Sequence, residues 1–141
     1  MDVLASLEPR RVFHFFEELT KIPHGSRHTK AVSDWLAAFG RERGLEVHQD
    51  ALNNVILVGP ASPGYEQAAP VIFQGHMDMV CEKAPGCTKD MEKEGLDLEV
   101  SGDEITARGT TLGADDGIAV AMGLALLDDS PSPAGSGLYG G

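Results

Sequence analysis

Basic residues are scarce in this 141-residue chain: 11 Lys and Arg stand against 22 Asp and Glu, a formal net charge of −11. Nucleic acids and anionic membranes select clustered Lys and Arg, so neither is expected as a partner. Long apolar runs are missing too. No window approaches the ~18 residues of a membrane span, and the N-terminus MDVLASLEPRR lacks the basic-then-apolar order of a signal peptide. A cytoplasmic location is the resulting expectation. The two cysteines, Cys81 and Cys87, fit neither the CxxC spacing of a zinc ribbon nor a multi-bridge secreted framework, and both are expected to be free thiols. Internal repeats are absent. The 42% hydrophobic content is that of a globular chain, so the acidity does not signal disorder, and cationic ligands such as metal ions stay open. Length alone favours one domain, typically ~100–200 residues.

Apolar residues at three- and four-residue intervals (Val12, Phe15, Phe16, Leu19) predict a helix over about 8–20, with Glu17 and Glu18 on a solvated face. Ile22-Pro23 breaks it. A second helix is expected over about 27–43, with Gly44 as its left-handed cap. Residues 45–49 and 54–58 read as strands joined by a turn that carries Asn53 and Asn54. A Pro/Gly loop follows, and then VIFQG at 71–75 has the pattern of a buried strand ending at a surface. Residues 81–103 have no clear period. A short strand over 104–107 and a helix over 117–127, buried on most sides, complete the pattern. Residues 129–141, Gly/Ser/Pro-rich, form a divergent tail that is expected to be disordered. The order of elements predicts a layered α/β fold, a sheet flanked by helices, in residues 1–128.

Two places carry chemistry. In GHMDMV, His76 and Asp78 follow the strand directly, and at i and i+2 of an extended segment they share one face. A neutral imidazole can bind a metal through one nitrogen while a carboxylate fixes the tautomer from the other. The plain alternative is a surface pair closing a strand end. In TLGADDGIA, Asp115 and Asp116 lie where a helix begins, so they are candidates either for capping or, between Gly113 and Gly117, for ligating a hard cation. His14, His28 and His48 are expected in solvated or core-edge positions; His24 is ambiguous.

GHMDMV and ARGTTLGADDGIAVA, in this order and with IPHGS and LNNVIL before them, resemble the metallopeptidase family that includes the aminoacyl-histidine (Xaa-His) dipeptidases, or cytosolic nonspecific dipeptidases. The likeness runs over about 3–128. It implies a zinc-exopeptidase-like catalytic domain and two divalent ions, usually Zn2+, with Mn2+ or Co2+ as substitutes. His76 would be a metal ligand, Asp115 the aspartate that bridges the metals, and Asp78 the catalytic aspartate that supports His76. The implied reaction is hydrolysis of a dipeptide substrate, and the full-length family is homodimeric in some members.

The chain departs from that pattern downstream. The family's Glu-Glu motif, its later acidic ligand and its C-terminal His have no counterpart, since no histidine follows His76 and the one adjacent Glu pair, Glu17-Glu18, lies upstream. The expectation is an N-terminal part of a dipeptidase catalytic domain, inactive alone. The competing readings are a noncatalytic acidic domain that binds a partner or a metal, and another branch of the family, such as a tripeptidase or deacetylase.

Overall fold

A computed structural model describes residues 2–128 and the backbone of residues 137–140. Helix α1 (Arg10–Thr20) starts two residues later than its periodicity suggests, because Pro9 is extended. It turns Phe15, Phe16 and Leu19 into the core. Helix α2 (Lys30–Glu42) also starts late. Arg27 has φ +72°, outside the helical region, and the chain must recover before a helix can begin. Its end follows the sequence: Gly44 has φ +69°, and the N–H groups of Gly44 and Leu45 donate to the carbonyls of Arg41 and Gly40 at 3.1 and 2.9 Å. This is a Schellman closure.

Strands β1 (Glu46–Gln49) and β2 (Val55–Val58) form the expected antiparallel hairpin. Its turn is held by the Asp50 carboxylate, which accepts from the N–H groups of Leu52 and Asn54 at 2.9 Å, while Asn53 takes φ +70°. Further along come β3 (Val71–Gln74), a separate hairpin of β4 (Leu98–Ser101) with β5 (Glu104–Ala107), helix α3 (Ala114–Asp128) and strand β6 (Gly137–Gly140). The main sheet has the order β1-β2-β6-β3, with β6 antiparallel to β2 and parallel to β3. The expected α/β architecture is present, with α2 against β1 and β2 and α1 packed on α3.

Four readings are corrected. Glu17 is not solvated: it is 5% exposed, and its carboxylate accepts from the backbone N–H groups of Val3 and Leu4 at 2.7 and 2.8 Å. Buried backbone N–H groups need acceptors, and the long carboxylate from α1 supplies one oxygen to each of these two. Strand β3 is exposed along its length: among the described residues little packs over its faces, and it is an edge strand paired only with β6. Helix α3 buries Val120, Ala121 and Leu124 yet exposes Met122 and Leu126. In the tail, residues 137–140 provide a sheet strand where no core element is expected; backbone pairing needs no side-chain pattern. Residues 129–136 and 141, with the disorder expected of them, lie outside the described residues.

The core joins Leu4, Phe15, Phe16 and Leu19 to Val32, Leu36 and Phe39 of α2, Val55 and Leu57 of β2, and Val120 and Leu124 of α3. Met77 enters the same cluster. The segment that bears His76 is therefore pinned by its own apolar side.

Candidate functional site

His76 and Asp78 leave the end of β3 on the solvent side, while Met77 and Met79 between and after them are buried. That is the alternation of an extended segment. His76 Nδ1 lies 2.9 Å from Asp78 Oδ1 and 3.1 Å from the Asp78 carbonyl oxygen. The other ring nitrogen, Nε2, faces Asp115 Oδ1 at 3.2 Å. Residues 39 apart in the chain thus meet across the imidazole.

Asp115 is held there by the irregular start of α3. Asp115 (φ −92°, ψ 100°) and Asp116 (φ −119°, ψ 26°) are not helical, and the peptide between them is cis. Gly113, at φ +75°, sets the turn before them. The two carboxylates take different tasks. Asp115 projects outward, its side chain 97% exposed, whereas Asp116 Oδ2 accepts the backbone N–H of His76 at 3.3 Å. Asp116 joins the two segments; Asp115 presents an exposed carboxylate to the imidazole. A capping role for either through its own helix is not what these contacts describe.

The charges reinforce the geometry. Partial burial works against the imidazolium of His76, but its hydrogen bonds to Asp115 and Asp78 outweigh this, and its pKa is raised. The hydroxyl of Ser26 donates to Asp78 Oδ2 at 2.5 Å and, with the imidazole on the other oxygen, holds the Asp78 carboxyl below the usual range. His24, the ambiguous histidine, is buried; desolvation lowers its pKa, although its Nδ1 lies 2.7 Å from the Ile22 carbonyl oxygen. His14, His28 and His48 are exposed, and Cys81 and Cys87 are free.

The donor set suits a divalent ion in part. An imidazole nitrogen and a carboxylate oxygen converge on the solvent side, and the second imidazole nitrogen is engaged by another carboxylate, the usual arrangement behind a ligating histidine. Two donors are half of a tetrahedral set, and among the described residues no third His, Cys, Asp or Glu completes a metal-binding group. Sequence reasoning missed Ser26 and the link from Asp116 to His76. Nothing in the spacing of residues 26, 76 and 116 announces contacts that only the fold creates.

No family model matches the chain. The cytosol non-specific dipeptidase of Escherichia coli (strain K12) is 36% identical to it over 129 residues, which are 92% of this chain and 27% of that protein. The structure of the aminoacylhistidine dipeptidase from Vibrio alginolyticus superposes with a TM-score of 0.93 at 34% identity, over 97% of this chain and 28% of that one. A tripeptidase from Staphylococcus aureus shares the fold at 20% identity and a TM-score of 0.72, over 95% of this chain and 36% of that one. The chain spans little more than a quarter of the length of either dipeptidase. Among the described residues no helix is long and apolar enough to cross a membrane. In sequence and in fold, the chain is a relative of the cytosolic non-specific and aminoacyl-histidine dipeptidases and corresponds to the N-terminal part of their structure.

Proposed function

We propose that the chain carries two ligands of a divalent-metal peptidase site, His76 and Asp115, and that the complete protein of this type hydrolyses dipeptides of the Xaa-His class. The observation that carries this is the position of His76, with Asp78 on Nδ1 and Asp115 beside Nε2. A carboxylate that accepts from Nδ1–H leaves Nε2, on the Asp115 side, as the ring nitrogen that would bind an ion. Asp78 therefore orients His76 and makes it more basic, while Asp115 supplies the hard oxygen donor. The names of both dipeptidase relatives support a dipeptide substrate, and that of the aminoacylhistidine dipeptidase supports the Xaa-His class.

Zn2+, or Mn2+ or Co2+ in its place, would supply Lewis acidity toward the peptide carbonyl and the water that attacks it. The described residues hold too few donors and no placed general base, so the chain is proposed to be inactive alone. The test pairs binding with turnover. Calorimetric titration with Zn2+ is expected to show binding that weakens in His76→Ala and in Asp115→Ala, with no hydrolysis of an Xaa-His dipeptide by the chain alone. Metal-dependent turnover lost in His76→Ala would overturn the inactivity. Binding indifferent to both residues would favour a noncatalytic acidic domain.

A further inference from the structure

The turn that joins α1 to α2 is stitched to the segment bearing His76. The Met79 N–H donates to the His24 carbonyl, and the Ser26 N–H donates to the Met79 carbonyl, both at 3.0 Å, so that Gly25 and Met79 pair as a short parallel bridge. Each end of the turn is further fixed. His24 is buried with Nδ1 on the Ile22 carbonyl, and the His28 N–H closes the turn on the Gly25 carbonyl at 2.8 Å. A Cβ at Gly25 would come within 2.8 Å of Cys81 Sγ, so the turn packs on that thiol with no room for a side chain unless the thiol shifts.

Ser26 leaves this clamp with one hydroxyl proton and two acceptors in reach: Asp78 Oδ2 at 2.5 Å and the Met79 carbonyl at 3.3 Å. The shorter, charge-assisted contact takes the proton. Asp78 is then held at one oxygen by Ser26 and offers the other to His76. The restraint matters because both members of the pair are accessible, with side chains 52% (His76) and 37% (Asp78) exposed. Without it the carboxylate can rotate toward water, and His76 Nδ1–H loses its fixed acceptor.

We propose that Ser26 is a positioning residue of the candidate site, fixing Asp78 so that it accepts from His76 Nδ1 and leaves Nε2, on the Asp115 side, as the ring nitrogen that would bind a divalent ion. This rests on the reading of His76 and Asp115 as a metal pair, and it deepens that reading by one residue. It extends the chain of contacts to Ser26, Asp78, His76 and Asp115, drawn from three separate segments.

The experiment compares the wild-type chain with Ser26→Ala, Ser26→Cys and Ser26→Thr. The tautomer of His76 is read from its 15N ring shifts in the metal-free chain at alkaline pH, and Zn2+ affinity is read by calorimetry. The Nδ1–H form is expected to be more populated in wild type and in Ser26→Thr than in Ser26→Ala, in which Zn2+ is bound about tenfold more weakly, as for loss of a partner behind a ligand. If Ser26→Ala does not fold, Ser26→Cys, of similar size but a weak donor, carries the comparison. A wild-type tautomer in the Ala or Cys variant would overturn the proposal, even if thermal stability falls. Failure of wild type to bind Zn2+ would count against the metal reading, while the tautomer still decides the role of Ser26.

Discussion

Gly113 and Met79 are packed so closely that a Cβ on Gly113 would lie 2.9 Å from Met79 Sδ and 3.0 Å from Met79 Cβ. This contact locks the GADD turn onto the HMDM segment and so fixes the distance between Asp115 and His76. Gly113 also has φ +75°, where a side chain is strained. Gly113→Ala is therefore expected to destabilise the chain by about 1–3 kcal/mol, measured as a shift of the urea midpoint at unchanged slope. A neutral result would mean that the turn can relax away from Met79.

Glu17 is expected to matter more than a surface glutamate. Its two backbone partners, Val3 and Leu4, lie at the entry of the chain, and Leu4 is itself buried in the core. Removing the carboxylate leaves these N–H groups without their acceptor, and hydrogen bonds to charged groups contribute roughly 1.5–3 kcal/mol. Glu17→Ala should lower stability by about that amount, whereas Glu18→Ala should stay within about 0.5 kcal/mol. Equal effects of the two substitutions in chemical denaturation would contradict this assignment.

His24 makes stability depend on pH. Burial lowers its pKa from the ordinary 6.5, so the folded chain binds the proton less readily than the unfolded chain. The stabilisation is present above about pH 6.5 and is lost as the pH falls toward the lowered value. His76, whose pKa is raised, contributes with the opposite sign. The informative comparison is therefore with His24→Asn, in which the fall in stability between pH 7.5 and 5 should be smaller than in wild type. An identical fall would remove His24 as its source.

Much of this arrangement was legible in the residues. Apolar spacing located both N-terminal helices, Gly44 marked the end of α2, and the alternation of His76, Met77, Asp78 and Met79 put the two polar side chains on one face. Local signals failed where a distant partner decides the outcome. Phe16 and Glu17 are adjacent and both buried, since the N–H groups that Glu17 satisfies come from 13 and 14 residues away. Val71, Ile72 and Phe73 have the composition of an interior strand, yet they are exposed because little among the described residues packs over β3, which no local pattern encodes. The contact between Ser26 and Asp78 spans 52 residues and was equally out of reach.

The most direct measurement is a calorimetric Zn2+ titration of the wild-type chain alongside His76→Ala, Asp115→Ala and Asp116→Asn. Asp115 presents its carboxylate outward beside His76 Nε2, whereas Asp116 is turned to the His76 backbone. Binding is expected to weaken on the order of tenfold or more in the first two variants, and less in Asp116→Asn. Zn2+ affinity unchanged in both His76→Ala and Asp115→Ala would contradict an inherited metal site.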